Sequence, residues 1–204
     1  MANSAADTES EKLGSIEQAD VALGRRLAEG RDRPLVRAVA RVGKLSDQEP
    51  LYGLAAAVAC AGLLTRRPRL AQAGLRMGLA VGAADLAKSA LKRQVRRTRP
   101  HVLMDEARYE RAAEPSSEKP EQSFPSGHMA GAVAAAAALG RCYPASLRYS
   151  LPLCAVAGWS RIAKAAHWPL DVAAGAVIGL CAERTTAALF RRADDPAKRR
   201  TSGA

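Results

Sequence analysis

Five alanine-rich apolar stretches, at 51–64, 71–91, 129–140, 151–159 and 169–190, dominate the chain and leave room for little but helices. Alanine is the strongest helix former, and the stretches lack the alternating β-branched and aromatic residues of a half-buried strand. At 204 residues the chain makes one domain. The expected fold is an all-α, membrane-embedded helical bundle of about five to six helices, with amphipathic helices at its N-terminus.

A spanning helix needs about 20 mostly apolar residues, so some stretches are long enough and others are short. The run V-A-A-G-A-V-I-G-L-C-A from Val172 is the best candidate span, and 51–64, closed by T-R-R-P-R, is the next. Small residues predominate in both, as they do where membrane helices approach closely. The mean hydropathy of -0.15 reflects polar ends: the first 48 residues, the 102–123 loop and the basic tail dilute an apolar centre. A soluble alanine-rich bundle is the alternative, because aromatics make up only 4% and leave Trp159 and Trp168 as the strongest interfacial anchors. The expectation is a multi-pass protein of the inner or plasma membrane.

The opening M-A-N-S-A-A-D-T-E-S-E-K is polar and reads as a disordered tail, not a secretory signal. Residues 16–43 then set Ile16, Val21, Leu23, Leu27, Leu35, Val36 and Val39 among many arginines, and Pro34 splits them into two short amphipathic helices. Such helices lie in the interface of an anionic membrane, or pack on the bundle with a solvated face.

Chemistry is concentrated in three clusters: Lys92 with Arg99-Pro100, then Pro125-Ser126-Gly127-His128, then Ser160-Arg161 with His167 and Asp171. Two of the three histidines fall inside them, and histidine titrates nearest neutrality. A helix started by Pro169 sets Asp171 near His167, where a carboxylate can hold one ring nitrogen and leave the other as a free lone pair. Ser126 is a natural N-cap, Gly127 admits close backbone approach, and free N-H groups there suit phosphate oxygens. His128 is placed to act as general acid. Lys92 and Arg99, two helical turns apart, are expected on one helix face, with the helix ending before Pro100. Arg161 adds a guanidinium fork that matches phosphate. The three together describe a pocket for a phosphoryl group.

The three segments, K-R-Q-V-R-R-T-R-P, P-S-G-H and S-R-I-A-K-A-A-H-W-P-L-D, match Lys-x6-Arg-Pro, Pro-Ser-Gly-His and Ser-Arg-x5-His-x3-Asp at every signature position. In this the chain resembles the type-2 phosphatidic acid phosphatase family, which shares its fold and active site with vanadium haloperoxidases and bacterial class A acid phosphatases. The resemblance covers roughly residues 50–190. It implies a phosphatase domain at 49–192, between a polar tail at 1–14 with amphipathic helices at 15–48 and a basic tail at 193–204. It further implies that His167 attacks phosphorus to form a phosphohistidine, that Asp171 orients His167, and that His128 protonates the leaving group. Lys92, Arg99, Ser126, Gly127, His128 and Arg161 would hold the phosphate oxygens. The implied substrate is a lipid phosphate or lipid diphosphate of the polyprenyl diphosphate, phosphatidic acid or phosphatidylglycerophosphate type. A vanadate-dependent haloperoxidase and a non-catalytic, basic lipid-binding membrane protein are the rival readings.

No cofactor and no metal is expected, since no carboxylates, cysteines or histidines cluster at ligand spacing. The net charge of +11 fits anionic lipid as partner better than nucleic acid, for which basic residues would interleave with aromatics. Arg66, Arg67, Arg69, Arg141, Arg148, Arg191 and Arg192 are expected on the face opposite the catalytic loops, which puts the site on the outer face. The N-terminal arginines pull the other way. Cys60, Cys142, Cys154 and Cys181 read as small buried residues. The 102–123 loop is either a lid or an idle insertion.

Overall fold

The computed structural model describes residues 14–193. The expected tails at 1–14 and 193–204 lie, but for their innermost residues, outside the described residues. The chain enters through α1 (Ser15–Ala28) and α2 (Pro34–Val42), the second begun by Pro34, whose fixed φ and missing N-H suit a first helical turn. A 3-10 turn, Gly43–Ser46, leads to α3 (Gln48–Leu64) and then α4 (Pro68–Lys92). After β1 (Arg96–Arg97), α5 (Pro100–Glu106) and β2 (Arg111–Ala112) come α6 (Gly127–Cys142), α7 (Leu147–Ala163) and α8 (Pro169–Ala193). Each of the five apolar stretches is therefore one helix. The fold is all-α apart from the two-residue strands, which pair antiparallel with Arg97 opposite Arg111.

The bundle closes on small side chains. Ala55, Met77, Ala80, Ala84, Ala130, Ala134 and Ala138 form one buried cluster between α3, α4 and α6, with Ala182 of α8. A Cβ at Gly74 of α4 would run into the backbone of Ala59 and Ala55 on α3, and one at Gly179 of α8 into the carbonyl of Ala130 on α6. Larger apolar side chains point outward: Leu64, Leu86, Leu153 and Val177 are all more than half exposed. Of the described helices α8 alone, over Pro169–Arg191, is long and apolar enough to cross a bilayer, and only 33% of its apolar window is buried. The 17-residue α3 is too short for that test, although 51–64 was the second expected span.

Two expectations fail. Trp168 is no interfacial anchor: it is fully buried, its indole N-H donates to the Thr98 carbonyl at 2.7 Å, and its ring packs edge-on against Tyr109. Of the four free cysteines only Cys142 and Cys154 are buried, while Cys60 and Cys181 sit on outward helix faces. Leu63 and Leu180, close to them in sequence, are exposed as well, so apolarity along these helices does not by itself report burial.

Replacing Gly74 by Leu should force α3 and α4 apart and lower stability by about 1–3 kcal/mol. Thermal unfolding of the purified protein in detergent measures this, and an unchanged midpoint would show that the crossing is looser than the backbone contact implies.

Candidate active site

The three clusters meet at one end of the bundle, where α4 finishes and α6 and α8 begin. Helix α4 stops at Lys92, and Arg96–Arg97 is extended, so the expectation that Lys92 and Arg99 share one helix face fails. The residue before a proline disfavours helical backbone; Arg99 is accordingly extended, at φ -74 and ψ 152, and Pro100 opens α5 instead of following a helix end. The chain turns back between the two cations and brings them to one cavity of about 180 Å³. Asp47, Gln48, Lys88, Lys92, Arg99, Gly127, His128 and His167 line it. At Gly127 a Cβ would stand 2.9 Å from the Lys88 side chain, so glycine is what lets that lysine lie across the start of α6.

Each signature cation is aimed by a backbone carbonyl. Lys92 Nζ donates to Gln122 O at 2.6 Å, Arg99 Nε to Lys119 O at 3.0 Å and Arg161 Nη2 to Ala40 O at 2.9 Å. Arg161 Nη1 lies 3.1 Å from His128 Nε2, and the Asp47 carboxylate pairs with that same nitrogen. Burial pushes Arg99 below the ordinary arginine range, and Arg161 adds to the push while Asp171 resists it. Ser126 is the N-cap of α6 but makes no side-chain cap bond; its hydroxyl is buried without a partner, and its N-H donates to the Asp171 carbonyl at 3.0 Å.

His167 stands in the turn between α7 and α8. That turn is held by Ala165 in left-handed backbone, φ 54, whose carbonyl accepts from the His101 N-H at 3.0 Å. His167 Nδ1 lies 2.8 Å from the Ser123 carbonyl, and Asp171 Oδ2 is 3.8 Å away. The expected ring partner is thus displaced: at 3.8 Å the carboxylate attracts the ring but makes no hydrogen bond. A carbonyl only accepts, so Nδ1 carries the proton and Nε2 keeps its lone pair. The ring centroids of His167 and His128 are 6.3 Å apart. Burial pushes the His167 imidazole below its ordinary pKa, against the pull of Asp171.

Asp171 organises the wall behind His167. Its Oδ2 accepts from Ser123 Oγ at 2.5 Å and from the Trp168 N-H at 2.8 Å, and its Oδ1 from Arg97 Nη1 at 2.6 Å. Arg97 is 2% exposed and donates as well to Glu17 Oε1 at 2.7 Å, Asp20 Oδ2 at 2.6 Å and the Tyr109 hydroxyl at 3.2 Å. Burial opposes its charge, yet Asp171 and its other partners hold its pKa above the ordinary arginine value. Asp20 Oδ1 accepts from the Leu170 N-H at 2.8 Å, which ties α1 to the first turn of α8. The 102–123 segment walls this site with Tyr109, Gln122 and Ser123.

The sequence reading missed Asp47, Gln48, Lys88, Arg97 and Ser123. Lys88 had a signal, one helical turn before Lys92. Arg97 fell on an unspecified position of Lys-x6-Arg-Pro, and Ser123 contributes a main-chain oxygen that no residue letter encodes. Among the described residues no three His, Cys, Asp or Glu side chains converge as a metal site.

A helical bundle with this triple cluster at one end defines a class, and a sequence comparison agrees: the model of the PAP2 superfamily matches residues 73–194, so the chain belongs to that superfamily. Two solved structures share its fold. LpxE of Aquifex aeolicus superposes with a TM-score of 0.61 at 21% identity, over 81% of this chain and 92% of that one. A transmembrane PAP2-type phosphatidylglycerolphosphate phosphatase of Bacillus subtilis gives 0.68 at 22%, over 90% of each chain. A comparison with curated proteins finds no match.

Replacing Arg97 by Gln leaves Asp20 and Asp171 buried without their cation and Glu17 with Arg111 alone, and should cost about 3–5 kcal/mol. Thermal unfolding compared with wild type measures it; a change under about 0.5 kcal/mol, the scale of an ordinary surface substitution, would remove Arg97 as the hub of the site.

Proposed function

We propose that the protein is a multi-pass membrane phosphatase that removes phosphate from a lipid phosphate or lipid diphosphate through a phosphohistidine, without a metal. The observation that carries this reading is the state of His167: Nδ1-H is fixed on the Ser123 carbonyl, and the ring lines a cavity walled by Lys88, Lys92, Arg99 and His128. A neutral imidazole with a free Nε2 among cations suits attack on a phosphoryl group.

Burial and then the Arg161 charge push the His128 pKa down to about 3, so the anionic substrate must offset both before this ring carries a proton at Nε2. In this scheme His167 Nε2 attacks phosphorus and the bond to the leaving oxygen breaks as His128, so charged, gives it that proton. Water then attacks the phosphohistidine, His128 takes its proton, and phosphate leaves. Lys92, Arg99 and Arg161 carry the oxygen charge, and Asp171 holds the wall that fixes His167. The Asp47 carboxylate must yield His128 Nε2 to the substrate.

The lipid part of the reading rests on an apolar groove of about 240 Å³ that starts at Gly43 and runs past Leu45, Leu51, Leu54, Leu139, Leu153 and Val156. A Cβ at Gly43 would stand 3.1 Å from Arg161 Nη2, so the groove opens beside the phosphate-binding cations. An acyl or prenyl chain fits there with its head group in the pocket. The outward leucines of α3, α4, α7 and α8 and the candidate span of α8 support a membrane setting. The arginines at the opposite end support an outer-face site. The phosphatidylglycerolphosphate phosphatase of similar fold makes that lipid one of the substrates to try first.

Phosphate release by detergent-purified protein, with EDTA present, should favour one lipid among phosphatidic acid, phosphatidylglycerophosphate and polyprenyl diphosphate over a soluble aryl phosphate. His167→Ala should abolish it. Turnover equal to wild type in His167→Ala, or none on any substrate beside halide oxidation with vanadate, would overturn the reading. His128→Ala should lose about 10²–10⁴-fold, most for leaving groups of high pKa, and a uniform loss across leaving groups would remove it as the acid. Because burial lowers the His167 pKa, its neutral form persists into acid. The acid limb of kcat/KM that reports it should lie below about 6.5, the ordinary histidine value, and a limb above that would contradict the assignment.

A further inference from the structure

At the end of the bundle away from the catalytic pocket, Arg69, Gln72 and Arg76 on α4, Arg141 on α6 and Arg191 on α8 line a second cavity, of about 230 Å³. Among the described residues only one of its arginines is neutralised: both Glu183 carboxylate oxygens face Arg141, with Nη2 to Oε2 at 2.8 Å. Arg69, Arg76 and Arg191 have no carboxylate partner among the described residues. Two of them are already aimed. The Arg69 guanidinium lies 5.1 Å from the Tyr143 ring centroid and that of Arg76 4.2 Å from the Phe190 centroid. Stacking occupies the guanidinium face and leaves its N-H edge to donate. Arg76 Nε is buried and has no acceptor, which is costly unless a ligand supplies one.

We propose that this cavity binds the phosphate of an anionic phospholipid in the leaflet opposite the catalytic site. A phosphodiester offers acceptor oxygens in the bidentate geometry that guanidinium forks match. The surroundings select a lipid over free phosphate: Leu79, one turn along α4 from Arg76, and Leu75, one turn from Gln72, are 49% and 53% exposed. Acyl chains descending from a head group held by these arginines would cover that apolar flank. Free phosphate would satisfy the charge and leave the leucines bare.

The test is native mass spectrometry of the detergent-purified protein with phosphatidylglycerol or phosphatidylcholine of identical chains, in an Arg161→Ala background that weakens the catalytic pocket as a competing site. The expected result is at least a tenfold preference for phosphatidylglycerol, lost in Arg76→Gln/Arg191→Gln and kept in Arg148→Gln, an exposed arginine outside the cavity. Inorganic phosphate at millimolar concentration should not displace the lipid. In an otherwise wild-type chain, Arg76→Gln/Arg191→Gln should hydrolyse a soluble aryl phosphate at the wild-type rate, which separates this site from the catalytic one. If that double variant does not fold, Arg76→Lys, which keeps the charge but loses the fork, should give an intermediate preference. Equal retention of both lipids by the parent protein, equal preference in the cavity variants, or displacement by phosphate alone would overturn the proposal.

Discussion

One buried guanidinium holds the candidate-site end of this protein together. Arg97 reaches Glu17 and Asp20 on α1, Tyr109 on the connecting segment and Asp171 on α8, so a single side chain joins residues that lie as much as 80 positions from it in sequence. Isolated burial of any of these charges would be prohibitive. The charges persist because each is answered: Asp20 by Arg97 and the Leu170 N-H, Asp171 by Arg97, Ser123 and the Trp168 N-H, and Glu17 by Arg97, Tyr109 and Arg111. Burial still raises the Asp20 pKa above the usual carboxylate value, despite its contact with Arg97. The consequence reaches His167, since Ser123 gives its carbonyl to the ring and its hydroxyl to the carboxylate that Arg97 fixes. Helix α1 is thereby part of the site's scaffold, as is α2 through the Ala40 carbonyl that accepts from Arg161, although the family match begins only at residue 73.

The candidate pocket solves a different electrostatic problem, that of crowding cations together. Backbone carbonyls from Gln122, Lys119 and Ala40 each take one donor from Lys92, Arg99 and Arg161. A carbonyl fixes the direction of a cation while leaving its charge and remaining donors for a ligand. Asp47 supplies a negative group against His128 at the pocket's edge. Cations held this way need no rearrangement of their own to meet an anionic oxygen, and electrostatic stabilisation gains most from such preorganised charge.

Much of this was legible in the sequence and some was not, for definite reasons. The alanine-rich stretches announced the five long helices because propensity and apolarity agree there, and Pro34 marked the break between α1 and α2. The three signature segments converge because each sits at a helix end: Lys92 closing α4, Gly127 opening α6 and Asp171 in the first turn of α8. The Arg97 network was invisible because it joins distant segments through positions no motif specifies. Trp168 misled because a tryptophan beside apolar sequence looks alike whether it faces lipid or a core donor such as the Thr98 carbonyl. The real ring partner of His167 is a main-chain oxygen, placed by tertiary structure alone.

Helix direction connects the two ends of the molecule. Helices α6 and α8 both start at the catalytic pocket, so their N-termini, which carry partial positive charge, face the place proposed for a phosphoryl group. The same two helices end at the arginine cavity, where partial negative charge at their C-termini favours Arg141 and Arg191 in the last turns. Up-and-down packing of apolar helices therefore creates a polarised bundle before any catalytic residue is chosen. An anion-accepting site at one end and a cation-rich rim at the other are complementary outcomes of one topology. The bundle's core is mostly alanine and glycine, which allows close approach of the helices but leaves little side-chain bulk to fix their ends. The polar clusters do that work instead, which is why the buried charges lie at the ends of the bundle and not at its centre.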